Sequence, residues 1–207
     1  MIAAIPTRYK GVNFRSRLEA RWAAFFDLMQ WQWHYEPIDM QGWIPDFIMG
    51  PDLNTGLLVE VKPIDWEPLS YNTSSYGTNT INLSHFGDYR QEACRAIQNI
   101  NGHKAILFCG LRPYRGYVGW FWDAKLNNIF GRGGFHKPLS TFDRRTGIWD
   151  FALGSGPRVY PGAMTGKDYS DFQDGHPIER FRVSEHEMDE AWDEAGNRTQ
   201  WRSPYSN

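Results

Sequence analysis

A chain of 207 residues with 41% hydrophobic and 22% charged residues has the proportions of an ordinary globular domain with one sizeable core. Its net charge of −2 argues against a protein that coats or packages DNA, because such proteins are basic. The same balance permits an enzyme that grips DNA through a local basic patch and holds metal with acids.

Residues 1–13 read as a lead-in broken by Pro6 and Gly11. Residues 14–30 read as an amphipathic helix, because Phe14, Leu18, Trp22, Phe25, Phe26 and Met29 recur at three- and four-residue spacing. Arg15, Arg17, Arg21 and Asp27 fall mainly on other faces, and Asn13 or Ser16 can cap the start. Trp31 to Tyr35 alternates as a strand would and is ended by Glu36-Pro37. Trp43 to Met49 is a second strand, and Pro51, Asp52, Asn54 and Gly56 form a turn cluster. Leu57 to Val61 is a third strand, closed by Lys62-Pro63. Short strands with tight turns predict a meander.

Residues 65–83, rich in Ser, Asn, Thr, Tyr and Gly, predict a long loop. Residues 86–101 read as a second helix with Ala93, Ala96, Ile97 and Ile100 on its apolar face and Gly102 at its end. Lys104 to Cys109 is strongly apolar and predicts a central strand, followed by a fifth from Tyr117 to Asp123. Beyond residue 124 Gly and Pro are frequent and no long period is visible. Ser184-x-x-Glu187 fits a capping box opening an acidic helix over 184–195, and the polar tail from Gly196 is expected to end loosely. The expectation is an α/β core over residues 1–123, in the order αβββαβ, with a mixed central sheet flanked by helices. An irregular extension over 124–207 is expected to pack on it.

Cys94 and Cys109 form neither a CxxC pair nor a zinc spacing, and Cys109 sits in an apolar run expected to be core. No signal-peptide layout and no apolar run near the roughly 20 residues of a membrane span is visible, so a cytoplasmic protein is expected. The aromatic share of 16% fits a core, an interface or a base-stacking surface alike.

The chemistry lies in charges placed where strands should be apolar. Asp46 sits in Ile44-Pro45-Asp46-Phe47-Ile48, and Glu60 and Lys62 sit in Leu57-Leu58-Val59-Glu60-Val61-Lys62. Side chains two apart on a strand share a face, so Glu60 and Lys62 project together. Burying an unpaired carboxylate costs several kcal/mol, of order 2–7 even for an uncharged polar group, and a shared metal site would account for these charges. Two carboxylates suit a hard cation such as Mg²⁺, which lowers the pKa of bound water. A neighbouring ammonium can orient that water or stabilise charge at phosphorus.

Pro45-Asp46, followed 14 positions after the Asp (46 to 60) by Glu60-Val61-Lys62, resembles the PD-(D/E)XK nuclease superfamily. Phe14 to Asp27, with its Glu19, resembles the first helix of TnsA-like endonucleases and of small phage and mobile-element nucleases. The resemblance covers roughly the first half of the chain. It implies a restriction-endonuclease-like core and Mg²⁺- or Mn²⁺-dependent hydrolysis of DNA phosphodiester bonds, leaving a 5′-phosphate and a 3′-hydroxyl. It further implies that Asp46, Glu60 and the Val61 carbonyl bind metal, that Glu19 completes the set, and that Lys62 acts on the water or the scissile phosphate.

Plainer readings stand beside these. Asp46 can close a turn after Pro45, Glu60 and Lys62 can form an ion pair on a solvated face, and Glu19 can serve a capping box begun by Ser16. Arg15, Arg17 and Arg21 are candidate phosphate contacts or a solvated helix face. Gln91, beside Tyr89, resembles a Gln that some nucleases of this superfamily place near the site, or is a polar surface position. Glu36 reads as a turn residue or a strand-end acid. The six His show no ligand spacing, and Gly131-Arg132-Gly133-Gly134 is no phosphate loop. A different class of function is a catalytically silent nuclease-fold module that binds DNA or, through its C-terminal region, a partner protein. Double-strand cutting would call for two sites and hence a symmetric dimer.

Overall fold

Two short strands precede the first helix, where the sequence reads as a lead-in. In the computed structural model, β1 (Thr7–Tyr9) pairs antiparallel with β2 (Val12–Phe14), Tyr9 opposite Val12. Lys10 and Gly11 alone form the turn, with φ of 46° and 84°. Two positive φ values are what a two-residue hairpin of the type I′ kind requires, and Gly11 meets that without steric cost. Three-residue strands are too short to display alternation, so composition could not reveal them. The structure describes residues 4–40, 42–50, 53–54, 56–66, 80–81, 83–99, 105–114, 117–123, 135–136, 141–143, 148–150 and 185–200.

The first helix, α1 (Arg17–Leu28), therefore begins three residues later than its expected start at Phe14. Ser16 is its cap and Asn13 lies in β2. Phe14 matches the helical spacing only by coincidence: its ring packs 4.4 Å from Tyr35 and 6.2 Å from Phe47. Every residue from Glu19 to Phe26 except Arg21 is buried, a span wider than one helical face. The second covering surface is α3 (Glu185–Thr199), whose Trp192 ring lies 4.7 Å from that of Trp22. The tail expected to fray from Gly196 is instead helical to Thr199, which is 3% exposed. Met188, Trp192, Ala195 and Thr199 recur at four- and three-residue spacing and are buried, which carries the helix past its polar sequence.

The sheet begins as the expected meander. β3 (Trp33–Tyr35) pairs antiparallel with β4 (Phe47–Met49), and β4 with β5 (Leu57–Val61). β4 is shorter than the predicted 43–49, because Trp43 turns back on Met40, whose N–H donates to the Trp43 carbonyl at 2.8 Å. After a two-residue strand β6 (Thr80–Ile81), a 3-10 segment broken at Gly87 leads into α2 (Arg90–Gln98). The predicted helix thus loses its first turn, while Ile100 and Gly102 lie outside the described residues. β7 (Ala105–Tyr114) runs parallel to β5 and antiparallel to β8 (Tyr117–Asp123). With β9 (Phe135–His136) the order is β3-β4-β5-β7-β8-β9-β6, a mixed sheet with β7 central. β10 (Thr141–Asp143) and β11 (Ile148–Asp150) pair separately. Most of the predicted 65–83 loop and of the 124–184 region lies outside the described residues.

Strand alternation divides the core in two. Phe47, Met49, Val59, Val61, Leu107 and Cys109 face α1 and α3, while Ile48, Leu58, Ile106 and Phe108 face Ala93 and Ala96 of α2. Cys109 is fully buried and burial raises its thiol pKa, as a core thiol requires. Glycine is obligatory at Gly110 in β7, where a Cβ would collide with the Trp66 indole and the Ile64 carbonyl. No helix among the described residues is long and apolar enough to cross a membrane.

Candidate active site

The pairing that builds the meander also builds the site. Phe47 opposes Val59 and Ile48 opposes Leu58, so the next step of that register sets Asp46 opposite Glu60. Both share the parity of Ile48 and Leu58 and therefore the α2 face of the sheet. Asp46 is 1% exposed and Glu60 3%, so Glu60 and Lys62 do pair, but not on a solvated face.

Each carboxylate is partly satisfied by the protein. Asp46 Oδ2 accepts from the Val61 N–H at 2.7 Å, and Arg15 Nη2 lies 2.6 Å from Asp46 Oδ1. Arg15 Nε also pairs with Glu36 Oε1 at 2.6 Å. Lys62 Nζ lies 2.6 Å from Glu60 Oε1, whereas Glu60 Oε2 is buried with no hydrogen-bond partner. The Trp43 indole N–H is oriented so as to lower the Glu60 pKa, yet it too makes no hydrogen bond.

Glu19 reaches the same end of the sheet from α1. It is both a helix-start residue and a neighbour of the site. Its N–H donates to Ser16 Oγ at 3.1 Å, and the same hydroxyl donates back to Glu19 Oε1 at 2.8 Å. The Tyr35 hydroxyl donates to Glu19 Oε2 at 2.6 Å while accepting from the Arg15 N–H at 3.0 Å. Tyr35 thereby ties α1, β3 and the Arg15 bend together.

The electrostatics show how crowded the acids are. Burial, then the Glu60 charge, pushes Asp46 up to about 8, against the pull of Lys62 and the Val61 N–H. Burial also raises Glu60, against Lys62. For Lys62, burial acts to lower the pKa, but the Glu60 and Asp46 charges outweigh it and keep the ammonium protonated. A protonated, anchored lysine is suited to meeting an anion.

A cavity of about 280 Å³ opens over these groups, lined by Arg15, Trp43, Glu60, Lys62, Glu92 and Arg95 among others. Comparison with protein-family models, with curated proteins and with solved structures finds no match. The site is therefore defined by its own geometry. Among the described residues, no three of His, Cys, Asp and Glu stand together as a ready-made metal cluster. Asp46 and Glu60 are paired instead with the protein's own cations, Arg15 and Lys62.

The other expected site residues divide. Arg17 is exposed at the start of α1, and no contact ties it to the acids. Arg21 is drawn into the α1–α3 interface: its guanidinium lies 4.1 Å from the Trp192 ring centroid and donates to the Trp192 carbonyl at 2.9 and 3.1 Å. Gly196 admits it, since a Cβ there would lie 3.0 Å from the guanidinium carbon. Gln91 is exposed and does not line the cavity, whereas its neighbour Glu92 does. Glu36, with φ of 44°, is both a turn residue and an acid at the site. Tyr35, Glu92 and Arg95 were missed by sequence reasoning. The available signal was that Glu92 and Arg95, three apart on a helix, flank the buried Ala93 and Ala96.

Proposed function

We propose that the chain is a metal-dependent nuclease of the PD-(D/E)XK kind, with a restriction-endonuclease-like core, that hydrolyses DNA phosphodiester bonds. The observation that carries this reading is the convergence of Asp46, Glu60 and Lys62 from adjacent strands at one sheet end. The donor set suits Mg²⁺ or Mn²⁺: oxygen ligands dominate, and Glu60 keeps one buried carboxylate oxygen without a partner.

Asp46 and Glu60 would hold the ion, with the Val61 carbonyl and Glu19 as further candidates. A bound divalent ion supplies an activated water and neutralises charge at phosphorus. Lys62, kept charged by its acidic neighbours, meets the scissile phosphate. Arg15 transfers its guanidinium from Asp46 to a DNA phosphate, which frees the carboxylate where substrate is present. Arg17 can add a backbone contact from the exposed start of α1. Purified protein is expected to nick or degrade DNA with Mg²⁺ or Mn²⁺ and not with EDTA, and failure with both ions on supercoiled, linear, single-stranded and branched DNA rejects the reading.

A second reading has one observation in its favour. Arg15 already neutralises Asp46, as it would in a silent nuclease-fold module that binds DNA or protein. Calorimetry separates the two, because a silent module binds its partner without binding Mn²⁺.

A further inference from the structure

Burial sorts the charges around the cavity by depth. The Asp46 and Glu60 side chains are 2% and 4% exposed, and Oε2 of Glu92 is sealed from solvent. The Arg15 side chain is 59% exposed, and Arg95 is exposed on α2. Three cations, Arg15, Lys62 and Arg95, line the cavity against two carboxylates, Glu60 and Glu92. An anion approaching the mouth meets guanidinium groups before it meets an acid.

Two of these cations are committed to the acids of the site. Arg15 pairs with Asp46 and Glu36, and Lys62 pairs with Glu60. Arg95 stands three positions after Glu92, a spacing that allows an ion pair along one helix face. Among the described residues, however, Arg95 pairs with neither Glu92 nor any other acid. An uncommitted guanidinium in the wall of a cavity offers a fork of donors that matches a phosphate.

We propose that Arg95 is a further substrate-binding residue, contacting a DNA backbone phosphate at the cavity mouth. This deepens the nuclease reading and rests on it for the identity of the polyanion. Arg15 reaches the cavity from the bend before α1, Lys62 from the end of β5 and Arg95 from α2. The volume suits a small anionic group. Sites that enclose a drug-sized molecule begin at about 300 Å³. The cavity offers about 280 Å³. A water's share of liquid volume is about 30 Å³, so the space equals that of about nine waters. It takes a phosphate with part of its hydration, while the sugar and base of the same nucleotide stay outside.

Arg95 has another use, since a cation in the last turn of α2 favours the helix dipole. That role acts on stability. It gives Arg95 no larger share in DNA binding than any other arginine of the same helix.

The test is fluorescence anisotropy of a short labelled DNA duplex titrated with the full chain, in EDTA so that nothing is cut, over about 50 to 200 mM salt. The parent is compared with Arg95→Gln and with Arg90→Gln. Arg90 is an exposed arginine that opens α2 and does not line the cavity. Both variants remove one positive charge. Arg95→Gln is expected to weaken binding about tenfold and to lower the slope of log affinity against log salt by about one, and Arg90→Gln to do neither. Equal binding by Arg95→Gln and the parent, or an equal loss in both variants, overturns the inference and leaves the nuclease reading to be judged by cutting with Mn²⁺. A parent that binds no duplex overturns it as well. Inorganic phosphate is the second probe. Saturable binding that Arg95→Gln loses while keeping full DNA affinity assigns the cavity to free phosphate and overturns the DNA contact. Should Arg95→Gln fail to fold, Arg95→Ala, with the side chain that helices favour most, carries the test, and parent-like affinity rejects the inference.

Discussion

Arg15 Nη2 lies 2.6 Å from Asp46 Oδ1, joining an arginine side chain that is 59% exposed to a carboxylate that is 2% exposed. A half-solvated cation thus covers the most buried acid of the site. If Arg15 competes with metal for Asp46, Arg15→Ala tightens Mn²⁺ binding severalfold without DNA and weakens DNA binding. Loss of this charge-assisted bond also lowers stability by about 2 kcal/mol. Mn²⁺ calorimetry with and without a DNA duplex checks both effects. Weaker Mn²⁺ binding in the variant would mean that Arg15 organises the acids.

Tyr35 links Arg15 to Glu19 through one hydroxyl. Tyr35→Phe removes both hydrogen bonds while keeping the ring against Phe14 and Phe47. The expected cost is about 1–2 kcal/mol, read by urea denaturation. Cleavage is expected to fall more than Mn²⁺ affinity, since Glu19 keeps only its Ser16 bond while Asp46 and Glu60 keep all their partners. An unchanged rate would confine Glu19 to starting the helix.

The C-terminal helix is part of the core. Trp192 contacts Trp22 and Phe25 and carries Arg21 on its face. Trp192→Ala is expected to cost about 3–5 kcal/mol in chemical denaturation. A parent-like midpoint would show that α3 is dispensable to the fold.

Gly110 is a second structural test, close to the site. Gly110→Ala forces a methyl group onto the Trp66 indole and the Ile64 carbonyl. Overpacking of this kind costs about 1–3 kcal/mol, and thermal melting reads it directly.

Elements with long, regular patterns were legible in the sequence. α1, β5, β7 and β8 each carry enough apolar residues in period to declare themselves, and the meander of β3, β4 and β5 followed from short connections. The hairpin before α1 was not legible, because three residues per strand carry no period and its signal was the single Lys10-Gly11 turn. α3 outran its predicted end because burial against α1 overrides the polar composition around Gly196. At the site, Asp46, Glu60 and Lys62 stood out as charges among apolar neighbours. Glu92 and Tyr35 did not, since a Glu early in a helix and a Tyr ending a strand are unremarkable until the fold sets them beside the acids. Arg21 was misleading for the opposite reason: its spacing suits a phosphate-contacting face, and only the arrival of Trp192 from residue positions far along the chain withdraws it.

The central claim is chemical, and Lys62 tests it most directly. Lys62→Ala removes the ammonium proposed to meet the phosphate and leaves Asp46 and Glu60 in place. The measurement is nicking of supercoiled DNA with Mn²⁺ by parent and variant, with circular dichroism on both. The parent is expected to cut, and the folded variant to be slower by about a hundredfold or more. A folded Lys62→Ala protein that cuts at the parent's rate would contradict it.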